Sequence, residues 1–160
     1  MNSIVKQITD RIKERSAKTR TQYLAQMKAA EQDGVIRKDL ACGNLAHAFA
    51  ACAEDEKMDL SGTQKANLAI ITAYNDMLSA HKTYEHYPEQ IRQTARRVGS
   101  VAQVASGVPA MCDGVTQGQL GMELSLFSRD IIALSTAIGM SHAMFDGGLC
   151  LGICDKIVPG

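Results

Sequence analysis

The sequence predicts an α/β fold, a parallel sheet with crossover helices preceded by an N-terminal helical segment. Three observations carry this prediction. Apolar runs at 67–74, 101–105 and 148–154 have the length of buried strands. The stretches between them have helical length and helix punctuation, and strand–helix–strand–helix–strand order implies parallel pairing. Charge and glycine are also unevenly spread. Residues 1–60 hold 10 Lys/Arg and 9 Asp/Glu, whereas residues 111–160 hold 2 and 5 together with 8 of the 13 Gly. A polar front and a Gly-rich, apolar back describe a solvated leader joined to a buried centre.

Residues 3–32 read as a helix. Ile4, Ile8 and Ile12 recur every four residues, Tyr23, Leu24 and Met27 resume the stripe, and Gly34 can end it. The polar stretch from Lys13 to Gln22 marks a solvated face or an arm that packs on another domain or subunit. A second helix is expected over 38–53, with Leu40, Leu45, Phe49 and Cys52 along one side, followed by a charged loop from Glu54 to Gly62. The first region is therefore 1–62, and the start of an α/β domain is 63–160. In that domain Pro88 suits the first turn of a helix running to Arg97 and closed by Gly99. Gly121 to Gly139 carries apolar residues nearly all round, the pattern of a buried helix.

Several classes are set aside. Equal numbers of basic and acidic side chains, 17 each, leave no electrostatic footprint for nucleic acid or an anionic membrane. No run reaches the roughly 18 apolar residues of a transmembrane helix. The N-terminus lacks the apolar run and cleavage site of a signal peptide, so a cytoplasmic protein is expected. Its five Cys then read as reduced thiols or metal ligands.

In open parallel sheets, ligands bind beyond the carboxyl ends of the strands. The segments leaving the three predicted strands are Asn75–His81, Gly107–Gly114 and Cys154–Gly160, and each carries an acid. Three such loops on one rim suggest a hard-ligand or mixed metal site. Cys150 and Cys154 would lie about 13 Å apart on a strand, too far to share one ion. Cys150 is therefore expected in the core, and Cys154, beside Asp155, is the better ligand. Cys52 reads as a small hydrophobe, and Cys42 stays open. His47 reads as a partly buried histidine and His142 as structural. His81, Lys82 and His86 form a cluster that suits an anionic group, against the plainer reading of a polar loop. Gly114, Gly118 and Gly121 precede a helix and could present N–H groups to an anion, but they match neither GxGxxG nor the P-loop.

Three stretches resemble the dihydroxy-acid and sugar-acid dehydratase family. They are Met111-Cys112-Asp113-Gly114-Val115-Thr116-Gln117-Gly118, then Gly121 to Leu126 with Ser128-Arg129, then Cys154-Asp155-Lys156 with Pro159-Gly160. Leu40 to His47, Asn75 to His81 and Glu85 to Pro88 look like its phosphogluconate branch. The resemblance implies a lyase that dehydrates 6-phosphogluconate to 2-dehydro-3-deoxy-6-phosphogluconate in the Entner–Doudoroff route. An iron–sulfur cluster would act as Lewis acid and a divalent cation, usually Mg²⁺, would hold enolate charge. By position, Cys154 resembles a cluster thiolate, with Cys112 and Cys42 as weaker candidates. Asp113 and Asp155 resemble the Mg²⁺ carboxylates, and Lys156 the lysine that is carbamylated in some members. Ala80 stands where the dihydroxy-acid branch has a cluster cysteine, which points to the 4Fe-4S type. The resemblance further implies a homodimer, with the Ile4–Met27 helix as the candidate contributor to its interface. Because family members are several times longer and the chain stops just after Cys-Asp-Lys, the resemblance implies an N-terminal piece with an incomplete α/β domain, inactive alone, with its catalytic base beyond residue 160. Another dehydratase of the family, or a non-catalytic α/β binding or redox module, is the alternative.

Overall fold

The computed structural model describes residues 2–31 and 34–160. The chain divides into two units, residues 1–33 and 34–160. The first is one helix, α1 (Ser3–Ala30), in which no residue is buried. Asn2 caps it by accepting the Ile4 N–H at 2.9 Å, and Lys28 lies in its last turn, where the helix dipole favours a cation. Helix α1 ends at Ala30 with Glu31 extended. The expected end at residue 32 lies outside the described residues.

The second unit is built on a three-stranded parallel sheet, β1 (Asn67–Thr72), β2 (Val101–Gly107) and β3 (Gly147–Leu151), in the order β2-β1-β3. The central strand β1 is the most buried because both faces are covered. Successive side chains of β1 serve opposite faces. Ile70 packs with Ala95 and Ala102, on the side of α5 (Tyr87–Arg97). Ile71 packs with Tyr84, Val108, Ile132 and Ile157, on the side of α7 (Ser128–Met140). Pro88 sits in the first turn of α5, and Gly99 has φ +78° beyond its end. The pairing of β1 with β2 shifts between Ile70 and Ile71, which face Val104 and Ser106 and leave Ala105 as a bulge.

At the amino ends of the strands a buried polar cluster ties residues 36–65 to the sheet. Asp146 accepts the Ile36 N–H and the Asn67 N–H, both at 2.7 Å. Buried Arg37 lies 3.6 Å from Asp146 and donates to the carbonyls of Leu60, Gly62 and Lys65.

Several expectations change. The single helix over 38–53 is a 3₁₀ turn (Ile36–Asp39) and a separate helix α2 (Cys42–Ala50), because Leu40 and Ala41 are extended between them. The charged loop at 54–62 is helix α3 (Glu54–Ser61). Its Glu54, Asp55 and Glu56 occupy the first turn, where the helix dipole favours acids, and Leu60 is buried. The helix expected over 121–139 is a 3₁₀ helix (Leu120–Leu124), a bend, and then α7. Nor is it buried all round. Ile132 and Gly139 face inward, while Leu134 is 59% and Ile138 65% exposed. Only one side of α7 meets the sheet. Cys150 is exposed rather than in the core, since β3 is an edge strand. His47 is exposed on α2, while half-buried Cys52 accepts a bond from Gln103 Nε2 at 3.3 Å.

Candidate active site

Parallel pairing brings the carboxyl ends of all three strands to one edge. From there the chain enters three short helices, α4 (Ser79–Lys82), α6 (Asp113–Thr116) and α8 (Cys154–Ile157). The second and third of these meet. Lys156 projects from α8 and is 1% exposed. Its ammonium bonds the Asp113 carboxylate on α6 and lies 2.8 Å from Asp155 Oδ1. Asp113 accepts a second bond, from the hydroxyl of buried Ser125, at 2.8 Å on the same oxygen, Oδ1. Lys156 first and Ser125 next hold the Asp113 carboxyl below the usual carboxylate range. Burial alone would lower the Lys156 pKa, but its bonds to Asp113 and Asp155 outweigh this and keep it above its ordinary value.

Cys154, the first residue of α8, is half-buried with φ +69°. A left-handed backbone at a residue other than glycine is strained, and here it adjoins the ion-pair cluster. The nearby Cys154 thiol contributes to raising the Tyr84 pKa, behind burial and the neighbouring Tyr87. Cys112 sits immediately before α6, half-buried, with its sulfur lining the space beside Gly114. Cys42 is exposed on the first turn of α2, and no hydrogen bond ties it to these groups among the described residues.

The first rim loop behaves differently. His81 is buried completely, and its ring donates from Nδ1 to the Ala73 carbonyl at 2.8 Å and stands edge-on to Tyr84. Its Nε2 is buried without a partner. Lys82 is engaged by Asp76 at 2.6 Å and Glu85 at 2.8 Å, and these two carboxylates, Asp76 before Glu85, push its pKa up. His86 is exposed, 3.8 Å from Glu85. The three residues expected to receive an anion are thus not brought together: one is sealed in, one is neutralised, and one faces solvent. Tyr74 completes the surface network by donating to Asp76 at 2.6 Å.

Two carboxylates already share one positive charge, that of Lys156, so their arrangement fits a cation. Among the described residues no three His, Cys, Asp or Glu side chains gather as a metal site. Ser125 is the participant the sequence did not announce. It lies within the Gly121 to Leu126 stretch that carries the family resemblance, as a lone hydroxyl between Leu124 and Leu126, but nothing local points to Asp113 as its partner.

The fold and this cluster define a class. The chain belongs to the dihydroxy-acid/6-phosphogluconate dehydratase N-terminal family, whose model matches residues 65–160. The whole chain is 61% identical to the phosphogluconate dehydratase of Escherichia coli (strain K12), covering 26% of that protein. It is 56% identical over its full length to the phosphogluconate dehydratase of Zymomonas mobilis, again 26% of the relative. A dihydroxy-acid dehydratase of Akkermansia muciniphila is 36% identical over 93 residues, 58% of this chain and 16% of the relative. The chain thus spans about a quarter of the length of the phosphogluconate dehydratases it matches.

Proposed function

We propose that this chain contributes the N-terminal part of a hydro-lyase that converts 6-phosphogluconate to 2-dehydro-3-deoxy-6-phosphogluconate, the dehydration of the Entner–Doudoroff route. The observation that carries the reading is the convergence of Asp113, Asp155 and buried Lys156 at the carboxyl ends of the strands. The stronger likeness to phosphogluconate dehydratases than to a dihydroxy-acid dehydratase supports the choice of substrate.

The reaction removes a weakly acidic C2 proton and expels hydroxide from C3, so negative charge must be stabilised at both places. A divalent cation such as Mg²⁺ and a 4Fe-4S cluster would supply that Lewis acidity when bound. Asp113 and Asp155 offer the hard oxygens a small divalent cation prefers. Lys156, as an ammonium, is a donor only; as a carbamate it would join them as an oxygen ligand. Cys154 would give one thiolate to the cluster, with Cys112 and Cys42 as further candidates. Only Lys156 of this cluster is sealed from solvent; the side chains of Asp113 and Asp155 are 37% and 68% exposed and so accessible to a cation. The same reading makes the enzyme a cytoplasmic homodimer acting on a small phosphorylated sugar acid. Among the described residues, no helix is long and apolar enough to cross a membrane.

The test uses the full-length polypeptide, reconstituted with iron, sulfide and Mg²⁺ and assayed on 6-phosphogluconate, gluconate and a 2,3-dihydroxy acid. The expected result is turnover of the phosphorylated acid above the other two, and a loss of about 100-fold or more in kcat for Asp155→Asn. Preference for an unphosphorylated acid, or full turnover by Asp155→Asn, overturns the proposal.

A further inference from the structure

We infer that Ser125 is a positioning residue, whose hydroxyl fixes the Asp113 carboxylate in the orientation that receives a divalent cation; this rests on the cation reading of Asp113 and Asp155 given above. Ser125 is 3% exposed, and its hydroxyl donates to Asp113 Oδ1 across a gap of 12 residues in the chain, at 2.8 Å. Neighbouring hydroxyls behave otherwise. Ser128 donates to the Ser125 carbonyl at 2.6 Å, Thr136 to Ile132 at 2.9 Å and Ser141 to Ile138 at 2.7 Å. Those are local bonds within one turn, the ordinary habit of Ser and Thr near helices. Ser125 alone of this group leaves its own turn to hold a carboxylate.

The backbone explains how it can. Ser125 occupies the bend between the 3₁₀ helix and α7, where its N–H bonds the Met122 carbonyl at 3.0 Å and its own carbonyl takes the Ser128 hydroxyl. Both sides of the peptide are therefore fixed, and the hydroxyl is presented from a rigid point. The two donors on Asp113 have different capacities. Lys156 supplies charge, which attracts but orients weakly. The hydroxyl supplies direction, which selects one rotation of the carboxylate. Both bonds fall on Oδ1, so the second oxygen is the one open to a further ligand among the described residues. Groups that hold a metal-binding carboxylate in place in this way typically change metal affinity 10- to 100-fold when removed.

The test measures Mn²⁺ affinity directly, from the electron paramagnetic resonance of free Mn²⁺ titrated with the full-length polypeptide. Ser125→Ala is expected to weaken binding about 10-fold or more, and Ser125→Thr, which keeps the hydroxyl, to restore most of it. Ser125→Cys, close in size but a weak donor, gives a second measure that does not depend on how the alanine variant folds, and is expected to bind weakly as well. If Ser125 acts through Asp113, then adding Ser125→Ala to Asp113→Asn weakens binding no further than Asp113→Asn alone. Wild-type affinity in both Ser125→Ala and Ser125→Cys, while Asp113→Asn binds poorly, overturns the positioning role and leaves the cation reading standing. Fully additive losses also overturn the positioning role. Wild-type affinity in Asp113→Asn overturns both.

Discussion

A single buried lysine ammonium, Lys156, sits between two carboxylates that reach solvent, and the consequences are electrostatic. Asp113 is held below its ordinary pKa, so its contribution to stability is present above the unfolded value near 4 and is lost as pH falls through the folded value. Lys156 is held above its ordinary value, so its contribution is present below the unfolded value near 10.4 and is lost as pH rises past it. The metal-free chain should therefore lose stability at both ends of the range. Lys156→Met should flatten the acid limb between about pH 5 and 3, as read from urea midpoints against pH; an unchanged limb would assign it to other carboxylates. Cys154 makes a second prediction. Its φ of +69° suits glycine, so Cys154→Gly should be more stable than Cys154→Ala by about 1 kcal/mol in urea unfolding. Equal stabilities would mean that the backbone relaxes without cost. The acids and the lysine of this cluster were legible in the sequence because motif and strand end coincide. Ser125 also stands within a motif stretch, but its bond to Asp113 was not legible, because its partner lies 12 residues away and a hydroxyl among apolar residues reads locally as part of a helix.

The strands β1 and β2 and helix α5 lie where the sequence predicts them, because burial on both faces, a proline at the helix start and a glycine beyond its end are all local signals. Helix α7 shows what such signals miss. An apolar pattern all round reports what a helix can bury, not what its neighbours reach, and the sheet here meets one side only. That side touches β2 at Gly139. A Cβ placed there would lie 2.8 Å from Ser106 Cβ and 3.3 Å from the Ala105 carbonyl oxygen, at the bulge. Backbone cannot swing away as a side-chain end can, so Gly139→Ala should push α7 off the sheet and cost about 1–3 kcal/mol. Gly148→Ala is the matched comparison. Its Cβ would press on the Sδ and Cε of Met140, at 3.1 and 3.2 Å, atoms at the end of a flexible side chain, with Ala69 Cβ at an ordinary 3.9 Å. The second substitution should therefore cost less than the first in denaturant unfolding, and the reverse order would mean that the bulge, rather than the methionine, is the part that yields.

Within the unit formed by residues 34–160, the two ends of the sheet have separate roles. The carboxyl ends carry Asp113, Cys154, Asp155 and Lys156, while the amino ends are fastened by Asp146, which joins the Ile36 and Asn67 N–H groups beside the buried guanidinium of Arg37. Burial lowers the Arg37 pKa and Asp146 opposes that effect, as expected for a charge whose nearest counter-ion offsets its lost hydration. Removing one partner of such a pair strands the other in the interior, a loss of about 3–5 kcal/mol. Asp146→Ala should therefore destabilise this unit by about 3 kcal/mol or more in urea unfolding, because two backbone donors lose their acceptor together with the charge. The same substitution should leave Mn²⁺ affinity of the folded full-length polypeptide unchanged, since no bond of Asp146 reaches the rim among the described residues. Stability lost with affinity intact would establish that the fastening and the site act independently. A fall in affinity at temperatures where the protein remains folded would mean instead that the amino-end cluster sets the spacing of the strands, and through them the distance between Asp113 and Asp155.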